Sequence, residues 1–165
     1  MTANYTVDLN PWALSIGHLV LSMNGIDIML NSCHRALTDA EPSKNWTKKT
    51  LCPRVKSLIE KAPNDSQVQT VLRDLLAEAH EIIKYRNIVS HAWIAADARG
   101  TVKPGEPSKW LLFAPGHDDP LTLDELFAVT NKCRDLTCRI SEAIAVVGFD
   151  KAHQARMAKR GSEQE

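Results

Sequence analysis

The chain has no excess charge of either sign: 20 Lys and Arg stand against 20 Asp and Glu, for a formal net charge of zero. That balance excludes a general coat for polyanions, so any nucleic-acid contact must rest on a local patch. Cysteine is scarce, and Cys33, Cys52, Cys133 and Cys138 form no Cys-x-x-Cys pair. His-x-x-x-His does not occur and the histidines are scattered, so a zinc site has no pattern to rest on. Glu-x-x-His, which a di-iron helical bundle needs, is also missing. Neither a Gly-x-x-x-x-Gly-Lys phosphate loop nor a Gly-x-Ser-x-Gly elbow is present. No metal or cofactor is therefore expected. The N-terminus lacks a basic region followed by an apolar run, so no signal peptide is expected. No uninterrupted apolar run is long enough for a bilayer, so no membrane partner is expected either. Cys33 and Cys133 fall on apolar stripes and read as buried thiols of a reducing compartment, which makes the expected location cytoplasmic.

What is present is helical periodicity. The 165 residues are 44% hydrophobic and 24% charged, ordinary values for a globular domain with a full core. Asn10 followed by Pro11 is a helix start, with an Asn cap and proline at the first helical position. From there Trp12, Ile16, Leu19, Met23, Ile26, Leu30, Cys33 and Leu37 mark one stripe, and Leu14, Leu21 and Ile28 mark a second on nearly the opposite face. A helix apolar on two sides is covered on two sides, by its own chain or by a partner subunit. Leu51 to Ala62 reads as a short helix with Pro53 in its first turn, after a polar loop with one turn around Trp46. Asn64, Asp65 and Ser66 offer caps for a central helix. Trp93 to Ala96 and Trp110 to Phe113 are strand-like runs separated by Gly100, Pro104, Gly105 and Pro107. They predict a β-hairpin or flap, which its Gly and Pro content marks as an insertion rather than a core element. Thr122-Leu-Asp-Glu125 is a capping box opening a last long helix that the pattern ends near Gly148. The expectation is an all-α fold, a mainly up-and-down helical bundle, over residues 1–150. Residues 151–165 form a polar tail expected to be frayed or disordered.

The central stretch carries the chemistry. Val68, Val71, Leu72, Leu75, Leu76, Ala79, Ile82 and Ile83 make one helical stripe, and the next position at its centre is Arg86. A guanidinium stands where an aliphatic residue is called for, so Arg86 is expected to be at least partly desolvated. Otherwise the helix leaves the core there. Beside the stripe, His80, Lys84, Asn87 and His91 form a polar line. Arg86 and His91 are about 140° apart on an ideal helix, so reaching one ligand requires a distorted last turn or a second copy of the helix.

The string Arg86-Asn87-x-x-x-His91 at the end of a long amphipathic helix resembles the motif of the HEPN superfamily, small all-helical domains of which many are metal-independent ribonucleases acting as dimers. Many members continue with His-x-Tyr; Trp93 stands at that position here. The resemblance implies a homodimeric endoribonuclease in which RNA supplies its own 2′-hydroxyl nucleophile. His91 would move protons as general acid or base, and Arg86 would hold the phosphate and stabilise the transition state. Asn87 would orient His91 or bind a phosphate oxygen. Lys84 and His80 would contact the RNA backbone. Products would end in a 2′,3′-cyclic phosphate and a 5′-hydroxyl, in a toxin or phage-defence role with a cognate antitoxin as further partner.

Each residue also has a structural reading. Arg86 could be a core-edge arginine reaching out to solvent, and His91 a helix C-terminal histidine favoured by the macrodipole. His80 and Lys84 could be plain surface residues. The alternative function is a non-catalytic HEPN-like dimer that binds nucleotide or protein, with Arg86 gripping a phosphate or carboxylate.

Overall fold

The structure, a computed structural model, describes residues 8–62, 67–96, 109–116 and 118–162, apart from the side chains at 68, 154 and 158–162. The described elements are α1 (Asn10–Thr38), α2 (Lys44–Thr47), α3 (Leu51–Lys61), α4 (Gln67–Ser90), β1 (Trp93–Ala96), β2 (Trp110–Phe113) and α5 (Leu123–Ser162). The fold is all-α, with one two-stranded sheet before the last long helix.

Contacts along the helices fix their directions. Gly25 lies against Thr137 and Asp39 pairs with Lys151, so α1 and α5 run parallel. Glu78 pairs with Lys132 and Arg139, and Val71 shares a groove with Val146, so α4 runs antiparallel to α5. The three long helices thus alternate in direction, and one cluster of buried residues joins them to α3 and β2. Leu19, Met23, Ile26 and Leu30 of α1, Leu72 and Leu76 of α4 and Leu126, Leu136 and Ile140 of α5 are fully buried. Each such side chain contributes roughly 1.5–3 kcal/mol of apolar burial.

The ends of the helices follow local rules, with two departures from expectation. Asn10 is not the cap of α1 but its first residue; the Asp8 carboxylate instead accepts from the Asn10 N–H at 3.0 Å. At the other end Asp39 adopts φ 53°, and its N–H returns to the Arg35 carbonyl at 2.9 Å. The capping box of α5 is formed in both directions: Glu125 N–H donates to Thr122 Oγ1 at 3.2 Å, and Thr122 N–H donates to Glu125 Oε2 at 2.7 Å. The Thr122 N–H first, and then the Thr122 hydroxyl, which donates to the same Oε2 at 2.8 Å, hold the Glu125 carboxyl below the usual carboxylate range. The second departure is the length of α5. It does not stop near Gly148 but stays helical to Ser162. Gly148 faces open space, and the Lys151–Asp39 pair, at 2.7 Å, ties the next turn to α1. A lone helical glycine costs only about 1 kcal/mol. The caps expected at Asn64, Asp65 and Ser66, and the Gly and Pro residues between the strands, lie outside the described residues.

The strands pair antiparallel with Trp93 opposite Phe113 and Ala96 opposite Trp110. β2 is not peripheral, contrary to its reading as an insertion. Leu111 and Leu112 are buried, and Leu112 exchanges backbone hydrogen bonds with Leu121 at 2.8 and 2.9 Å. The strand therefore contributes Leu112 to the core and is tied to the segment just before α5. The second apolar line of α1 has the opposite fate. Leu14, Leu21 and Ile28 are 62%, 67% and 61% exposed, so no described element of the chain covers them. By length and composition α1 is the one described helix that could cross a membrane, a test that core helices also pass.

Candidate functional site

The motif occupies the last turns of α4 and the turn that follows. α4 is regular through Ser90, and the His91 N–H reaches the Ile88 carbonyl at 3.3 Å as the chain leaves the helix for β1. Arg86 and Asn87 keep their helical directions, whereas His91 already belongs to the turn; continued as an ideal helix, the positions of Arg86 and His91 would stand about 140° apart. Asn87 and His91 do share a line with Lys84, and all three are exposed.

Arg86 departs from expectation. It is exposed rather than partly desolvated, although Ile82 and Ile83 before it and Val89 after it are buried. The cause lies in what stands opposite. Trp46 rests between Arg54 and Lys61 of α3 and against His34 of α1, so α3 packs beside the second half of α1. Because α4 runs antiparallel to α1, that level corresponds to the first half of α4. The motif lies beyond α3, and its stripe position is left open. Val71, also on the stripe, is exposed as well and lines a groove with Val146.

Among the described residues, the side chains of Arg86, Asn87 and His91 have no hydrogen-bond or ion-pair partner. A free guanidinium, amide and imidazole at one helix end can donate to phosphate oxygens and exchange protons. Lys84 is less free: its ammonium pairs with Glu81 at 2.6 Å, a bond that lowers the Glu81 carboxyl below its ordinary range. His80 is half-buried, and its Nδ1 is buried without a partner, so only part of the ring is available to solvent. Trp93, at the family's tyrosine position, is exposed and stacked on Phe113 with ring centroids 6.1 Å apart, and it does not bury His91.

Beside the motif lies a groove of about 430 Å³ between α4 and α5. Ile82, Ile88, Leu121 and Val129 give it apolar walls, and Lys84, Tyr85, Asp119 and Lys132 give it polar ones. Sequence reasoning named Lys84 but missed Tyr85 and Lys132. The available signal was the spacing of three through Ile82, Tyr85 and Ile88, a flank of the stripe that faces α5.

The arginine that the core does enclose is Arg54, 2% exposed. It donates to the carboxylate and the carbonyl of Asp27 and, at 2.8 Å, to Asn31 Oδ1, with its guanidinium carbon 5.4 Å from the Trp46 ring centroid. This is a joint between α1 and α3. Among the described residues no group of three or more His, Cys, Asp or Glu side chains is placed to hold a metal ion. Comparison with known proteins finds no matching protein-family model, no matching curated protein and no matching solved structure.

Proposed function

We propose that this chain is a metal-independent endoribonuclease of the HEPN type that acts as a homodimer. The observation that carries the reading is the set of three unpartnered, exposed side chains, Arg86, Asn87 and His91, at the end of a helix held rigid by core packing. In this reading the 2′-hydroxyl of RNA attacks the adjacent phosphorus and its proton passes to a base. The 5′-oxygen leaves with a proton from an acid, and the product ends in a 2′,3′-cyclic phosphate. His91 serves as the proton-transfer group, and imidazole is suited to both directions near neutral pH. Arg86 grips two non-bridging oxygens with its planar fork, which an ammonium cannot do. Because an ideal helix would set Arg86 and His91 about 140° apart, one copy's Arg86 would complete the partner's His91. Asn87 orients the imidazole or the phosphate, and Lys84 and the exposed part of His80 contact the backbone. The α4–α5 groove with Tyr85 gives an unpaired base next to the motif a place to rest. By the same resemblance the role is of the toxin or phage-defence kind, with a cognate antitoxin as partner and the cytoplasm as location.

A second reading is a non-catalytic HEPN-like dimer that binds a nucleotide or protein, and one observation favours it: the chain carries no net charge, with 20 Lys and Arg against 20 Asp and Glu. Single-turnover cleavage of labelled RNA separates the two. Wild type in the presence of chelator should cleave, His91→Ala should lose about 10²–10⁴-fold in rate while still binding RNA, and Arg86→Lys should lose most cleavage. A wild type that binds but cuts nothing across a broad RNA panel leaves the binding reading in place.

A further inference from the structure

The α4–α5 groove carries a polar set that its apolar walls do not explain. Its charged side chains balance, Lys84 and Lys132 against Glu81 and Asp119, so it suits a neutral polar occupant rather than an anion. They are not equally committed. Lys84 and Glu81 hold each other at 2.6 Å. Lys132 reaches Glu78 only at 3.6 Å, and Glu78 keeps Arg139 at 3.0 Å if that lysine turns away. Asp119 and the Tyr85 hydroxyl have no hydrogen-bond or ion-pair partner among the described residues. The place of Asp119 is nonetheless fixed. It stands two residues before Leu121, whose backbone exchanges hydrogen bonds with Leu112 at 2.8 and 2.9 Å, and Pro120 stiffens the step between them.

We propose that this groove is a base pocket selective for guanine, with Asp119 as the residue that reads it. The proposal rests on the ribonuclease reading only for the place of the scissile phosphate. Guanine presents two adjacent N–H donors, at N1 and the 2-amino group, beside the O6 acceptor. A carboxylate accepts two parallel N–H bonds, and the Lys132 ammonium can donate to O6. On their pairing edges adenine and cytosine set a bare ring nitrogen beside their amino group, and uracil sets a carbonyl on each side of one N–H. Each therefore turns a lone pair towards a carboxylate oxygen. Ile82, Ile88, Leu121 and Val129 offer apolar walls to the flat faces of the base, and Tyr85 adds a ring. The volume, about 430 Å³, is that of a small-molecule site. Ile88 also joins the pocket to the motif, because its carbonyl accepts from the His91 N–H at 3.3 Å. A base seated against Ile88 leaves its phosphate beside His91.

Calorimetry of the full chain with nucleoside 3′-monophosphates tests the pocket without any cleavage. Wild type should bind the guanosine form roughly 5- to 150-fold more tightly than the adenosine form, and more tightly than the inosine form, which lacks the 2-amino group. Asp119→Asn should lose that preference and gain one for the xanthosine form. An amide offers one acceptor and one donor, and xanthine has a carbonyl where guanine has the amine. Asp119 is exposed, so the swap should leave the melt unchanged. A wild type that binds none of the four, or binds guanosine and adenosine forms alike, would overturn the proposal. So would an Asp119→Asn protein that still prefers guanosine. Cleavage of RNA with mapped ends separates this outcome from the enzyme reading. Cuts with guanine at one fixed position beside the break support both. Cuts indifferent to guanine keep the enzyme and overturn the pocket. Selective guanosine binding by a protein that cuts no RNA keeps the pocket and removes the enzyme.

Discussion

Two arginines sit on apolar stripes, and replacing each with alanine should give opposite results. Arg54 is almost fully enclosed, with hydrogen bonds to Asp27 and Asn31 and a ring beneath it. Removing one partner of a buried pair ordinarily costs about 3–5 kcal/mol, because the other charge is stranded. Here the stranded group is Asp27, whose side chain is 47% exposed and can rehydrate. The expected cost of Arg54→Ala is therefore lower, about 2–3 kcal/mol, arising from lost packing and from the orphaned Asn31 amide. Arg86 touches no partner among the described residues and is exposed, so Arg86→Ala should change stability by no more than about 0.5 kcal/mol. Urea unfolding followed by circular dichroism, with the slope checked for constancy, measures both. A loss above 1 kcal/mol for Arg86→Ala, or none for Arg54→Ala, would refute the assignment of which arginine is structural. If Arg86→Ala proves stable yet inactive on RNA, its effect cannot be attributed to unfolding.

Mixing the two inactive proteins Arg86→Ala and His91→Ala should restore about one quarter of wild-type cleavage if the site is shared between copies, since half the pairs are mixed and each has one intact site; no recovery after subunit exchange would place the whole site in one chain. Thiol reagents should modify exposed Cys138 first and Cys52 next, while burial pushes Cys133 up to about 11 and Cys33 up to about 12 and keeps both unreactive until the chain unfolds; mass spectrometry of partly labelled protein gives the order. The Glu125 carboxyl is lowered in the fold, so its contribution is present above its unfolded pKa and lost as pH falls through the lower folded value. Thr122→Ala should accordingly cost about 1 kcal/mol near neutral pH and less in acid, and an equal cost at both pH values in paired urea titrations would count against the cap. Leu112→Ala should cost about 2–5 kcal/mol by the same measurement if β2 belongs to the core, whereas a neutral result would return the strand to the status of an insertion.

The long helices were legible because their stripes depend on spacing alone. The capping box of α5 and the proline start of α1 were legible because their partners are local. Three matters were not. Gly148 looked like a stop because the pair holding the helix beyond it comes from Asp39, distant in sequence. Arg86 looked desolvated because a stripe records which face is apolar and not how far the neighbouring helix extends. Arg54 passed unremarked for the converse reason: it lies on the stripe of Leu51, Val55 and Leu58, and only the arrival of Asp27 and Asn31 from α1 makes its burial tolerable. At the motif, residue identity and helix position could be read, but the exposure of each side chain depends on what packs around the end of α4, which spacing does not record.

The parallel pairing of α1 with α5 has a consequence for how the chain comes into being. These are the first and last of the described helices, and their packing is the most extensive among the described elements. Asp39 and Lys151 are 112 positions apart, a closure that costs about 4 kcal/mol of chain entropy before its contacts are made. On the ribosome α1 emerges before α5 and must wait for the 112 positions between Asp39 and Lys151 before this pairing can close. During that interval both of its apolar faces are open to the surroundings. Folding should therefore be slow for so helical a chain, and the nascent α1 should be the segment that chaperones hold.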